Sequence, residues 1–158
     1  MSYSSVNDTK KHIGQLNWAI RNVVKELEHR GKVHDASKME DPELKYFDEF
    51  TPKLKELKYG TEEYKQSLED MKPAIEHHYS VNSHHPEYHE NGISGMNLID
   101  LVEMFCDWWA ATKRTKGGDL KRSIDLNKDR FQMTDQLHSI FMNSVPLLED
   151  KWKDNEDV

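Results

Sequence analysis

The sequence predicts an all-α protein built as one domain of about six to eight helices. Glycine is scarce, at seven of 158 residues. Strand-like alternation is hard to find, whereas apolar residues recur at helical spacing in several stretches. Those stretches are separated by cap residues, glycines and prolines rather than by long linkers. One domain spanning 1–158 is the simplest organisation at this length, with 1–7 and 153–158 expected to fray. No internal repeat or low-complexity segment marks a boundary. A chain of this size can bury a core without a disulfide or a metal staple.

The elements follow in order. Asn7, Asp8 and Thr9 are candidate N-caps for a first helix. Ile13, Leu16, Ile20, Val23, Val24 and Leu27 give it an apolar stripe, and Gly31 is a natural C′ stop. His12 falls on the side of Leu16, Ala19 and Val23, so it is expected to face inward. A core histidine with a satisfied hydrogen bond competes there with a metal ligand. Asp41-Pro42-Glu43 reads as cap, N1 proline and first-turn acid, and Thr51-Pro52 repeats the pattern. Short helices are therefore expected over 42–49 and 52–58. Gly60-Thr61 stops and restarts the chain for a helix over 62–79 that Pro73 kinks or restarts.

Asn97 can cap a helix over 98–116. Its acids Asp100, Glu103 and Asp107 span only about 60° of the wheel, and apolar residues cover most of the rest. A helix so apolar is deeply embedded, and its acidic stripe is expected to line a cleft. A surface stripe salt-bridged to Arg114 is the competing arrangement. Gly117-Gly118-Asp119 makes a turn and a cap, followed by helices over 119–131 and 134–144 and a short one over 147–152. Trp108 and Trp109 suit the core, while Trp18 and Trp152 could serve a core or a dimer surface.

The net charge of −7, with basic residues dispersed among acids, argues against a binder of duplex nucleic acid. A small anionic substrate stays compatible, because a bound cation reverses the local field. No stretch is apolar for long enough to span a membrane. The lone Cys106 and an N-terminus without signal-peptide character suit a reducing cytoplasm, or a host cytoplasm for a phage-encoded chain.

The chemistry concentrates in histidine. Five of nine histidines fall between His77 and His89. A loop chosen for solubility would use Lys, Glu, Ser or Asp, whereas imidazole is the commonest protein metal ligand. Upstream stands Val33-His34-Asp35-Ala36-Ser37-Lys38, whose neutral His and ionised Asp both suit a divalent cation. Which imidazoles of the 77–89 stretch face a metal is open at this stage.

In chain order, His12, His34-Asp35, the His cluster and Asp107 resemble the HD-domain metal-dependent phosphohydrolases. His34-Asp35-Ala36-Ser37-Lys38, His77-His78 and the 101–114 stretch with Asp107 and Arg114 are similar to strings of the HD-GYP phosphodiesterase branch. The Gly-Tyr-Pro string of that branch is absent; His84-His85-Pro86-Glu87-Tyr88-His89 stands in its place. Cyclic-dinucleotide cleavage is therefore not carried over. The nearer likeness, from His12 to about Arg114, is to small HD-like proteins of phages and bacteria that share Asn82-x-His84-His85-Pro86-Glu87.

The resemblance implies a helical HD-like fold holding one or two divalent ions, with Mn, Mg, Fe, Co, Ni and Zn not distinguished. It implies His12, His34, Asp35, His77, His78 and Asp107 as metal ligands. Asp35, Lys38, His78 and Glu87 would act in catalysis. Lys38, Asn82, His84, His85, His89 and Arg114 would bind substrate. Hydrolysis of a nucleotide or related small phosphate ester is the expected activity. A non-hydrolytic nucleotide- or metal-binding module, such as a phage counter-defence protein, is the alternative. An HD-like di-iron oxygenase is a third reading. A homodimer is compatible with all three.

Overall fold

The computed structural model describes residues 5–57, 61–114 and 117–149. Every regular element among them is helical, with no strand, as the sequence predicts. Seven helices have nine residues or more (α1–α7), an eighth has four, and three short 3₁₀ turns connect them. The chain divides into two units, Met1–His34 and Asp35–Val158.

The first unit is a single helix, α1, Ser5–Val33. Residues 5–7, expected to fray, are its first turn, while 1–4 lie outside the described residues. Gly31 does not end it; the helix runs on to Val33. One glycine costs a helix about 1 kcal/mol, which the flanking turns absorb. A lone helix has no second layer of its own to bury against, and none of the α1 residues is buried. The inward position expected for His12 is thus not met within this unit, where it is exposed. Trp18 is exposed too, at 70%.

The second unit holds α2 (Glu43–Glu56), α3 (Glu62–Asp70), α4 (Lys72–Val81), α5 (Leu98–Lys113), α6 (Leu120–Arg130), α7 (Asp135–Ser144) and α8 (Pro146–Glu149). Its core packs α5, α6 and α7 around Met104, Phe105, Leu120, Ile124, Met133, Phe141 and Val145. Phe105 stacks on Phe141 with centroids 5.7 Å apart, and Trp108 meets Phe141 edge-on at 5.5 Å. Trp108 and Trp109 pack against this core, as expected. Trp152 lies outside the described residues.

Several helix boundaries of this unit differ from expectation. Residues 43–56 form one helix, with Pro52 inside it. Proline removes one i→i−4 bond, but its fixed φ is helical, and flanking packing can carry the helix through. The 62–79 segment does break near Pro73: α3 ends at Asp70 and α4 starts at Lys72. The later helices start at their expected caps. Asn97 and Asp100 form a reciprocal capping box, Asp119 accepts from the Arg122 N–H, and Thr134 accepts from that of Leu137. The last helix begins at Pro146, one residue early, and positions 150–152 lie outside the described residues.

Candidate metal centre

Three elements of the second unit converge. Asp35 precedes the 3₁₀ turn Ala36–Met39, His78 sits on α4, and His84 and His85 follow directly in the loop after it. One ligand atom from each of these four lies within 4.8 Å of every other. His78 and His84 are buried, at 4% and 2% exposure. The Asp35 Oδ1 is 3.2 Å from His78 Nε2 and 3.5 Å from His84 Nε2. His85 Nε2 lies 2.9 Å from His78 Nε2.

Asp35 reaches this position through an unusual backbone, with φ 55° and ψ 21°. Asp and Asn tolerate the left-handed region better than other non-glycine residues. The Lys38 ammonium pairs with its Oδ2 at 2.6 Å. Burial works to raise the Asp35 carboxyl. The hydrogen-bonding contacts of His78, His84 and Lys38, with the Lys38 charge, outweigh it and hold the group well below the usual carboxylate range.

The histidines are oriented from behind. Glu43, fully buried at the start of α2, contacts His78 Nδ1 at 2.9 Å and His77 Nδ1 at 2.7 Å. An ionised carboxylate only accepts, so each Nδ1 carries the hydrogen facing it. Glu103 on α5 stands 3.3 Å from His84 Nδ1 and is nearly buried. Carboxylates behind two imidazoles turn both Nε2 atoms toward Asp35, the arrangement that orients histidines around a metal. His85 is kept neutral: burial first, then the neighbouring His84 and His78, push its pKa down to about 3. Two imidazole nitrogens, a third neutral one and a carboxylate form a donor set that fits a borderline divalent ion.

The loop that carries His84 and His85 is tied down on both sides. Ser83 Oγ donates to Asp100 Oδ1 at 2.8 Å, and His89 Nε2 donates to the Ser83 carbonyl at 2.8 Å. The Asn82 amide donates to Ser37 Oγ at 2.8 Å and to the His78 carbonyl at 2.8 Å. The acidic stripe of α5 thus turns inward, with Asp100 at 1% exposure and Glu103 at 9%.

The expected site residues separate into groups. Asp35 and His78 are in the cluster, and Lys38 adjoins it. His84 and His85, expected to bind substrate, are themselves in the donor set. Asp107 is half-buried on α5, and its charge acts on His85. His77 is not in the donor set; one residue along α4 turns its ring about 100° from that of His78, onto the other oxygen of Glu43. Asn82 and His89 brace the loop. Glu87 pairs with Arg130 instead of facing the cluster. Arg114 is exposed at the end of α5, about 10 Å along the helix beyond Asp107. His12 and His34 belong to the first unit.

The sequence did not single out Glu43 or Glu103 as histidine partners. Glu43 read as an ordinary first-turn acid. The inward stripe was the one signal for Glu103.

A family model described as "Family of unknown function (DUF5662)" matches residues 1–150. The chain belongs to the DUF5662 family. No curated protein and no solved structure matches it. DUF5662 membership covers both units and the whole histidine-rich loop. No helix among the described residues of this DUF5662 protein is long and apolar enough to cross a membrane.

Proposed function

We propose that this protein is a metal-dependent phosphohydrolase acting on a nucleotide or related small phosphate ester. The observation that carries the reading is the convergence of Asp35, His78, His84 and His85, with Glu43 and Glu103 behind two of the imidazoles. The HD-like order of histidines and aspartates along the sequence supports the same reading. A divalent ion held there supplies Lewis acidity toward a phosphoryl oxygen and acidifies water. Lys38 stands beside Asp35, where its charge would favour an approaching phosphate. Glu43 and Glu103 hold the imidazoles in one tautomer, and the Ser83–Asp100 bond holds the loop that presents two of them.

A non-hydrolytic binding module in the same cytoplasmic setting is the second reading. It is favoured by Lys38 and Glu87 both being paired within the protein, with Asp35 and Arg130 respectively.

Turnover separates the two. The full chain, loaded in turn with Mn²⁺, Mg²⁺, Co²⁺ and Fe²⁺, is assayed for phosphate or nucleoside release from a nucleotide panel. Hydrolysis that a chelator stops and that Asp35→Asn lowers by about a hundredfold or more supports the hydrolase. Asparagine suits this test because it tolerates the left-handed backbone. Tight nucleotide retention without turnover supports the binding module. Turnover that survives both chelator and Asp35→Asn contradicts both.

A further inference from the structure

A surface concavity lies beside the candidate centre, within the second unit. It encloses about 510 Å³, in the range of small-molecule sites. Glu87, His89, Asn91, Gly92, Arg130 and Gln132 are among its walls, and none of the four convergent donors lines it. It is nevertheless a neighbour of them. Glu87 follows His85 by two residues, and the Tyr79 ring lies 4.7 Å from that of His85 while its hydroxyl accepts from Arg130 Nη2 at 3.2 Å.

Arg130 is held on three sides. Nη2 donates to Tyr79 and, at 2.7 Å, to Glu87 Oε1, and the guanidinium lies 4.6 Å from the Phe131 ring centroid. An exposed pair of this kind contributes about 0–1 kcal/mol, so stability gives little reason for such fixing. A planar guanidinium fork with five donors matches carboxylate and phosphate geometry alike. The Glu87 carboxylate shows what it accepts. The backbone is specialised here as well: Gly92 (φ 54°) and Gln132 (φ 51°) are both left-handed and both line the cavity. For glutamine this costs about 1 kcal/mol, and such residues concentrate at binding sites.

We infer that this cavity is an oxyanion subsite, read by Arg130, in which a phosphate or carboxylate displaces Glu87. Its place in catalysis rests on the hydrolase reading: the substrate is then a phosphate ester carrying a second anionic group, away from the one at the centre.

The test is an amide NMR titration of the full chain, magnesium-loaded, with inorganic phosphate and separately with malonate. The Gly92 and Gln132 signals should shift and saturate with at least one of them. Arg130→Gln should weaken that binding at least tenfold, and Arg130→Lys should retain part of it. Glu87→Gln should tighten it several-fold by removing the internal competitor. A preference for phosphate assigns a second phosphate, and one for malonate a carboxylate. Shifts that do not saturate with either probe, or that are unchanged in Arg130→Gln, overturn the subsite. Metal content is measured on the same samples. Arg130-dependent shifts in a chain that binds no metal overturn the hydrolase reading and leave the anion site standing.

Discussion

Glu43 has a large expected effect for a side chain outside the donor set. It is fully buried and satisfies two imidazoles at once. Glu43→Ala should cost about 3–5 kcal/mol in chemical denaturation, because both rings lose a buried charged partner. Glu43→Gln keeps the shape and should mainly lower metal affinity, by about 10–100-fold in a competition titration. Unchanged affinity in Glu43→Gln would mean that the carboxylate does not tune the site. His85 gives a pH signature. In the metal-free protein it takes up its proton only near pH 3, against about 6.5 for the unfolded chain. Between those values the unfolded chain binds more protons, so the His85 contribution to stability is full above about 6.5 and falls as pH drops toward 3. Its ring resonances should stay those of neutral imidazole from pH 7 down to pH 5; a midpoint near 6.5 would contradict the burial argument. The density of histidines between 77 and 89 pointed to a candidate site from sequence alone. Which rings converge did not, because helix phase separates His77 from His78 and a 34-residue contact selects Glu43.

Helix caps were the most legible feature of the elements. Asn97, Asp119 and Thr134 each begin the helix expected of them, since a cap needs only its own side chain and the next three N–H groups. Asn97→Ala should lower stability by about 1 kcal/mol and Asn97→Asp by much less, read as urea midpoints. Equal losses in the two would mean that the capping box is not what starts α5. Gly118 is required by a close approach: a Cβ there would run into the backbone carbonyl of Thr112. Gly118→Ala should therefore cost about 1–3 kcal/mol, and a neutral result would contradict the tight turn after α5. Breaks were less legible than starts. Pro52 and Gly31 both looked like terminators, and helix runs through both. A terminator's local cost is small enough for neighbouring turns to override, and nothing local reports those turns.

For the whole molecule, helical class follows from patterning, and the α5–α7 core follows from the apolar girth of α5. Phe141→Ala should remove about 3–5 kcal/mol by emptying that core without touching the histidines. The convergence of Asp35 with the 78–85 histidines is tertiary: contacts across more than 40 residues leave no local trace beyond ligand-type side chains in a suggestive order. The proposed function rests on that convergence. The most direct measurement is elemental analysis of the purified full chain beside Asp35→Asn and His78→Gln, with circular dichroism confirming that all three are folded. The expected result is about one or two divalent ions per wild-type chain and at least a tenfold lower content in both variants. A wild-type chain that takes up no metal on loading, or variants that keep the wild-type content, would contradict a metal centre at Asp35, His78, His84 and His85.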